Sequence, residues 1–351
     1  MITGDLDGAL ATAVSSAGTW RPAPPGTAGD ARTYASTVAF RLAGGHANGP
    51  DAVAVRLAAR LCGLDWVETA TVTGGGYLAV TVTADALGRL AVRIAEAGPG
   101  CARSSALAGT SRSAPVATDL ASAPAWEEAR QRVHATVTGR LAEAAGARVS
   151  WQHDAERITA PDPASPVTAG PVAEAVAYAG ADAITYALAR LPPRGPARVD
   201  ARLAAAHHLG NPAYAVPYAH AQAASVRRQA ADLGLDRGEA ARFQPRLLAH
   251  PSEQALLYEL SWLPERVAGA ARRGRPDVLA RYLEGLARAY FDCQEACPAV
   301  WPGMVVPDGA DRPPGERAAV QAAARLWLAA AARTALGAGL GLLGVSAPDR
   351  L

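Results

Sequence analysis

The 351-residue sequence contains no lysine: all 34 basic side chains are arginine. That absence excludes Schiff-base chemistry, a P-loop closed by a lysine, and any signature loop that depends on an ammonium group. Aromatic residues make up only 5% of the chain, so the core must be filled by smaller side chains. The four cysteines, Cys62, Cys101, Cys293 and Cys297, form no framework. Cys293 and Cys297 are spaced as helix neighbours and lack a second pair, which argues against zinc and for buried thiols in a reducing compartment. The first residues, MITGDLDG, hold no apolar run, so no signal peptide is expected. The Ala/Leu-rich tail is broken by Arg325 and Arg333 and reads as a core helix rather than a membrane span. A cytoplasmic protein with no membrane association is expected.

Half of the residues are hydrophobic, and alanine dominates them. Alanine favours helix and permits close approach of helices, so a mainly α protein of two or three compact units is predicted. Net charge is only +2, but it is uneven: residues 1–185 carry 14 Arg against 17 acidic residues, and residues 186–351 carry 20 against 15. A basic second half is an electrostatic footprint compatible with nucleic acid, or a chance imbalance on solvated helix faces.

Along the chain, residues 1–20 suggest a short first helix closed by the Pro-rich RPAPPG at 21–26. In ARTYASTVAFRLAGG, Tyr34, Val38 and Leu42 recur at helical spacing, predicting a second helix, and Pro50-Asp51 opens a third, ended by Gly63. The period then changes. Leu78, Val80 and Val82 alternate with Tyr77, Ala79 and Thr81, and Gly74, Gly75 and Gly76 mark a turn, which is the pattern of a β-hairpin. Residues 1–97 therefore read as a small α+β domain. The stretch 98–125, rich in Ala, Ser, Gly, Pro and Thr, reads as a loose linker. Helical spacing returns at 126–147, with Trp126, Ala129, Val133, Val137 and Leu141 on one face, and 159–171 is Pro-rich again. From 172 onward the chain reads as nearly all helix, with breaks near 192–198, 234–238, 274–276 and 301–315. The expected domains are thus 1–97, a 98–171 segment with one or two helices, and 172–351.

Two regions carry a resemblance. NPAYAVPYAHAQAASVRRQ at 211–229 resembles the segment N-P-x-Y-Y-x-Q-Y-A-H-A-R of arginyl-tRNA synthetases through Asn211, Pro212, Tyr214, Tyr218, Ala219, His220, Ala221, Ser225 and Arg227. Residues 177–189 resemble the helix entering that family's anticodon-binding domain, and 247–300 are similar to its helical DALR-type body. The tail GLGLLGVSAPDRL closely resembles the family's terminus, with Leu351 in place of Met. More faintly, TYASTVAFRLA at 33–43 and the Gly76-Tyr77 hairpin resemble the family's N-terminal tRNA-binding domain, with Thr37 and Ala79 where that family has Asn. The resemblance implies a C-terminal helical bundle of the class I synthetase anticodon-binding (DALR) type, preceded by a small α+β domain. It also implies a partner, tRNA, with arginine tRNA first.

The segment between the two regions is too short for the doubly wound nucleotide-binding sheet of a class I synthetase. A KMSKS-type loop is impossible without lysine. His208-Leu209-Gly210-Asn211 spells H-x-G-N, close to a HIGH-type signature, but an Ala-rich helical stretch precedes it instead of a strand. No catalytic residue is therefore assigned, and no cofactor is expected. His207 and His208 have no Asp, Glu or Cys at ligand spacing, so no metal site is expected either. The triple-glycine turn is followed by no helix start and is not a phosphate loop.

The candidate RNA contacts are Tyr214, Tyr218, His220, Gln222, Arg227, Arg228, Arg281, Arg325, Trp327 and Arg333. A second, fainter set from the N-terminal domain is Tyr34, Thr37, Arg41, Gly76 and Tyr77. His220, Arg227 and Arg228 share a helical face, as do Tyr214 and Tyr218, and guanidiniums beside rings can pair phosphates and stack bases. The competing reading of each is ordinary: tyrosines in the core, a packing histidine, solvated arginines. The expected function is a non-catalytic tRNA-binding protein derived from arginyl-tRNA synthetase. The alternatives are a divergent or split arginine–tRNA ligase, or a protein-partner module that has lost RNA binding.

Overall fold

A computed structural model describes residues 2, 4–6, 20–22, 32–45, 49–153, 170–300 and 316–351. The helix expected over 1–20, and the Pro-rich stretches at 21–26, 159–171 and 301–315, lie largely outside the described residues. The chain divides into two compact units, and neither is contiguous. One comprises 1–97, 226–262 and 289–332, and the other 98–225, 263–288 and 333–351.

The first unit contains an antiparallel sheet of order β1 (Trp20–Pro22), β2 (Thr33–Ser36), β4 (Tyr77–Val82), β3 (Val67–Thr73). The β3–β4 hairpin is the one expected. Its turn uses Gly74, Gly75 and Gly76 at φ of 50°, 82° and 116°, a backbone region open to glycine at little cost. Leu78, Val80 and Val82 all face the core. Helix α1 (Val38–Leu42) and helix α2 (Gly49–Leu61) follow β2, and α2 buries Val53, Leu57 and Leu61. The helix predicted through Tyr34 is corrected here: Tyr34 lies on β2, paired with Val80 of β4. Its spacing to Val38 and Leu42 suits a helix, but the cross-strand partner decides the conformation.

Helices α3 (Ala84–Gly88) and α4 (Leu90–Ala97) close the N-terminal part. A Cβ at Gly88 would sit 2.7 Å from the Pro245 carbonyl oxygen, so a side chain there is sterically excluded. Later in the chain the same unit receives helix α10 (Pro251–Ser261), opened by a capping box. His250 Nδ1 accepts from the Ser252 N–H at 3.2 Å, and Glu253 Oε2 accepts from the His250 N–H at 3.0 Å.

The second unit begins with a strand–helix–strand element, β5 (Ser111–Pro115), α5 (Trp126–Ala144) and β6 (Arg148–Gln152), whose two strands pair in parallel. The stretch expected as a loose linker therefore contains an ordered strand. Only Ala114 of β5 is buried, and the partner strand lies well downstream, so no local alternation announces it. Helix α5 buries Ala129, Val133, Val137 and Leu141, four of the five residues expected on its apolar face. At Gly139 it comes so close to the strands that an added Cβ would lie 2.9 Å from Trp151 Cη2. Arg130, 3% exposed, donates to the carbonyls of Pro192 and Gly195 at 3.0 and 2.9 Å and pairs with Glu127. It thereby anchors the Pro-rich break near 192–198.

The remaining helices are α6 (Pro171–Ala179), α7 (Ala181–Arg190), α8 (Ala201–Ala205), α9 (Pro212–Asp232), α11 (Leu263–Arg273), α12 (Pro276–Ala296) and α13 (Glu316–Leu343). The helical reading from 172 onward holds. Residues Ala318–Leu343 of α13 are long and apolar enough to cross a membrane, but most of that stretch is buried inside the protein. It is a core helix by burial. The ring of Tyr186 on α7 is fully buried, and its hydroxyl donates to the Ala280 carbonyl at 3.1 Å.

Candidate functional site

The second unit assembles a site around the start of α9. Asn211 precedes that helix and sits 8% exposed. Its Oδ1 accepts from the Ala213 N–H at 3.2 Å, and its Nδ2 donates to the carbonyls of Ala204 and Ala206 at 3.0 and 2.8 Å. One side chain thus caps α9 and ties it to the end of α8, which fixes where residue 207 falls. Pro212 follows at the first helical position, where a missing N–H costs nothing.

That arrangement builds a ladder of three rings. His207 stacks on Tyr214 with centroids 5.2 Å apart and planes at 15°, and Tyr214 stacks on Tyr218 at 5.3 Å and 17°. The two tyrosines are one helical turn apart, which is why α9 superposes them. His207 is exposed and both tyrosines are half-buried. Pro217 lies inside α9. A proline there has no N–H to offer the Ala213 carbonyl, and both residues line the cavity beside the ladder.

That cavity has a volume of about 150 Å³, and its walls include His207, Tyr214, Pro217, Asp182, Ser346, Pro348 and Leu351. The segment after α13 is thus part of the site. It is delivered there by Gly344, at φ +80°, which ends α13 as the Val345 N–H reaches back 3.0 Å to the Leu340 carbonyl. Three ties then hold the tail. Ser346 donates to Asp182 Oδ2 through both its hydroxyl and its N–H. His220 Nδ1 lies 3.0 Å from the Pro348 carbonyl. Arg333 donates to Asp349 Oδ1 from Nε at 3.0 Å and Nη2 at 2.7 Å.

His220 is 4% exposed. Because a carbonyl oxygen only accepts, its Nδ1 carries the proton. Burial, reinforced by the Arg333 charge, holds its pKa below the ordinary imidazole range. It therefore sits neutral inside the protein and positions the tail, and offers no exposed ring to a ligand. Gly337 leaves room for it, since a Cβ there would be 3.3 Å from His220 Nε2.

The other expected RNA contacts are dispersed. Gln222 is half-buried on α9, with Oε1 enclosed and without a hydrogen-bond donor among the described residues. Arg281 of the same unit is half-exposed and lies 3.9 Å from Asp277, a carboxylate already paired with Arg275 at 2.7 Å. Arg227, which is exposed, and Arg228, which is half-buried, belong to the other unit. So do Arg325 and Trp327. Arg325 pairs with the buried Glu253 at 2.8 Å and donates to the Pro298 carbonyl at 3.1 Å. Trp327 is 3% exposed, with the Arg237 guanidinium 4.2 Å above its ring and Phe243 edge-on. Expected as an RNA contact, it is packed as a core residue.

The second expected set divides likewise. Tyr34 is fully buried between Tyr258 and Trp262, and its hydroxyl donates to Ser261 Oγ at 2.8 Å. Desolvation raises its pKa far above that of an ordinary phenol. It is a core residue. Tyr77 is exposed and meets Phe40 edge-on at 4.9 Å, and Arg41 is exposed on α1. Thr37 is half-buried, and Gly76 lies against Pro50, where a Cβ would be 2.8 Å from the proline Cβ. Cys101, Cys293 and Cys297 are buried and unbridged, and Cys62 is exposed. The H-x-G-N sequence forms the turn before α9, with His208 Nδ1 accepting from the Gly210 N–H at 3.0 Å. His207, Asp182 and Ser346 were missed by sequence reasoning. Only the nearness of His207 to the N-P-x-Y segment hinted at the first.

Comparison with known proteins adds three findings. Residues 216–351 match the family described as DALR anticodon binding domain. The arginine–tRNA ligase of Micrococcus luteus is 41% identical over 176 residues, covering 50% of this chain and 30% of that protein. That of Clavibacter sepedonicus is 39% identical over 172 residues, covering 49% and 28%. The chain thus spans about a third or less of the length of these curated relatives. The structure of a Thermus thermophilus arginyl-tRNA synthetase aligns with a TM-score of 0.66 at 15% identity, over 100% of this chain and 99% of that one, which is a likeness of fold.

Proposed function

We propose that this chain, whose residues 216–351 form a DALR anticodon-binding domain homologous to that of arginyl-tRNA synthetases, is a cytoplasmic tRNA-binding protein that acts without catalysing aminoacylation. The observation that carries this reading is the His207–Tyr214–Tyr218 ladder opening on a cavity walled by Ser346, Pro348 and Leu351. Stacked rings beside a small cavity suit an unstacked base of an anticodon loop, because single-stranded RNA is recognised by stacking and by contacts to base edges. The ligand is a tRNA, arginine tRNA first. Asp182 at the cavity wall would accept from ring or exocyclic N–H groups of the bound base.

The non-catalytic part rests on chemistry and on the use already made of the residues. No lysine exists to neutralise transferring phosphates. The H-x-G-N residues His208 and Asn211 are spent on a turn and a helix cap.

Binding of arginine tRNA transcript, followed by filter retention at two salt concentrations, tests the first part. Tyr214→Ala should weaken binding about 10-fold or more, since a stacked base contributes about 1–3 kcal/mol. Unchanged affinity would remove the ladder from the interface. An aminoacylation assay with ATP, arginine and tRNA tests the second, and sustained charging by the purified chain overturns it.

One observation favours a second reading, that of one part of a split arginine–tRNA ligase. The parallel β5–α5–β6 element is of the kind from which nucleotide-binding sheets are assembled. In that case charging would appear on mixing with a second chain.

A further inference from the structure

The strand–helix–strand element of the second unit has an open edge. β5 pairs with β6 on one side, and no described strand pairs with it on the other. The Thr110 carbonyl accepts from the Arg148 N–H, and the Val116 N–H donates to the Gln152 carbonyl, both at 2.9 Å. Backbone groups face alternate sides along a strand, so the even-numbered residues of β5 address β6. The N–H and C=O groups of Ser111 and Ser113 therefore point outward from the edge. Pro115 ends the same row and has no N–H to leave bare, which is the edge position to which sheets confine proline.

Along that edge runs a groove of about 390 Å³. One wall is β5, through Arg112, Ser113 and Pro115, and the other is a stripe of α5 that includes Gln131, His134 and Ala135, about one turn apart. Most polar groups of the α5 side are already used. Arg130 bonds the carbonyls of Pro192 and Gly195 and is neutralised by Glu127. Gln131 donates to Glu127, and His134 Nε2 donates to the Leu188 carbonyl. Arg112 is different: it is exposed and has no ion-pair partner among the described residues. No carboxylate is among the described residues lining the groove, so its uncompensated charge is that one guanidinium.

We propose that this edge docks an extended segment of another protein, which adds a third strand to the sheet and sets an acidic side chain opposite Arg112. Bare strand edges are templates for pairing, and strand addition takes its affinity from main-chain hydrogen bonds and its specificity from alternate side chains. Arg112 and Ala114 share the α5 face of β5, since strand residues two apart point the same way. The partner residue opposite Arg112 is therefore Asp or Glu. The residue opposite Ala114 is small and apolar, because α5 comes so close that a Cβ at Gly139 would lie 2.4 Å from that of Ala114. A second copy of this chain fits worse: two β5 edges would bring together strands that each carry an unpaired guanidinium and no acid. The site lies outside residues 216–351, matched to the anticodon-binding family, and is independent of the tRNA reading.

The test uses the full chain and two fluorescein-labelled peptides, Thr-Glu-Thr-Val-Thr and its reverse Thr-Val-Thr-Glu-Thr. They set the acidic and apolar side chains on one face in either strand direction. One of them should bind saturably below about 1 mM in fluorescence anisotropy. N-methylation at alternate amides should abolish that binding, and at the intervening amides should not. Ser113→Pro removes an outward N–H and leaves the ladder to β6 intact, so the melting temperature should hold while affinity falls about 5-fold or more. Arg112→Glu should weaken the acidic peptide by a similar factor and favour one with arginine in place of glutamate. Hydrogen exchange resolved by residue needs no variant. The Ser113 amide should exchange freely in the free protein, unlike that of Ala114, and become protected on peptide binding. The proposal falls if neither peptide saturates, if Ser113→Pro binds like the parent, or if the Ser113 amide is already protected without peptide. It also falls, in favour of RNA, if Arg112→Glu weakens binding of an anticodon stem-loop while both peptides stay unbound.

Discussion

The family resemblance leads one to expect Arg325 at the RNA surface, whereas the structure ties it to Glu253, and substitution separates the two roles. The Nε–Oε1 distance is 2.8 Å, with the Glu253 side chain 1% and that of Arg325 20% exposed. At an effective dielectric constant of about 20, unit charges at that distance attract by about 6 kcal/mol before desolvation is counted. Arg325→Gln removes the cation and strands a carboxylate whose other oxygen is needed to cap α10. Breaking such a buried pair costs about 3–5 kcal/mol. The partial exposure of the arginine admits screening, so a cost of about 3 kcal/mol is expected. For units of this size each kcal/mol moves the melting temperature by about 2–4 °C, giving a fall of about 6–12 °C in thermal unfolding followed by tryptophan fluorescence. Glu253→Gln keeps an oxygen to accept from the His250 N–H. The double variant should therefore be less unstable than the two single effects added together, by more than about 1 kcal/mol. At temperatures well below unfolding, Arg325→Gln should bind tRNA with an unchanged salt slope. An unaltered melting temperature together with a salt slope reduced by about one would refute this account and return Arg325 to the RNA surface.

Three further outcomes are expected. Gly139→Val should destabilise the second unit by about 2–3 kcal/mol in urea unfolding, because the added carbons would meet Trp151 in a packed helix–strand contact. Gly344→Ala should cost about 1 kcal/mol or more from the positive φ and also weaken tRNA binding, because the misdirected tail no longer walls the cavity. Stability should fall with acidification. His134 and His220 both have pKa values lowered chiefly by burial, so the native state resists protons that the unfolded chain takes up. Their contribution is fully present above the unfolded imidazole pKa of about 6.5 and is lost as pH drops below it toward their folded values. Urea midpoints at pH 7.5 and 5.5 measure this, and His220→Asn should flatten the dependence.

How much of this is legible in the sequence follows from where each residue's partner lies. The hairpin at 67–82 can be read because its alternation and its glycine turn are both local. Spacing misplaces Tyr34 onto a helix because a residue at i, i+4 from Val38 satisfies two periods, and only pairing with Val80 selects the strand. Strand β5 is invisible because its one buried residue, Ala114, makes no pattern. The same logic divides the site. Tyr214 and Tyr218 stack through one helical turn, a distance that sequence spacing reports. His207 completes the ladder only because Asn211 binds the carbonyls of Ala204 and Ala206, a contact no periodicity encodes. Spacing also shows which residues share a helix face without showing what that face meets along its length. His220 and Arg227 are seven residues apart on α9, yet the first is buried under Pro348 and the second is exposed. A basic or aromatic residue in this chain is therefore sorted by whether its hydrogen-bonding capacity is already committed. His220, Arg325 and Arg333 are committed to the protein in this sense.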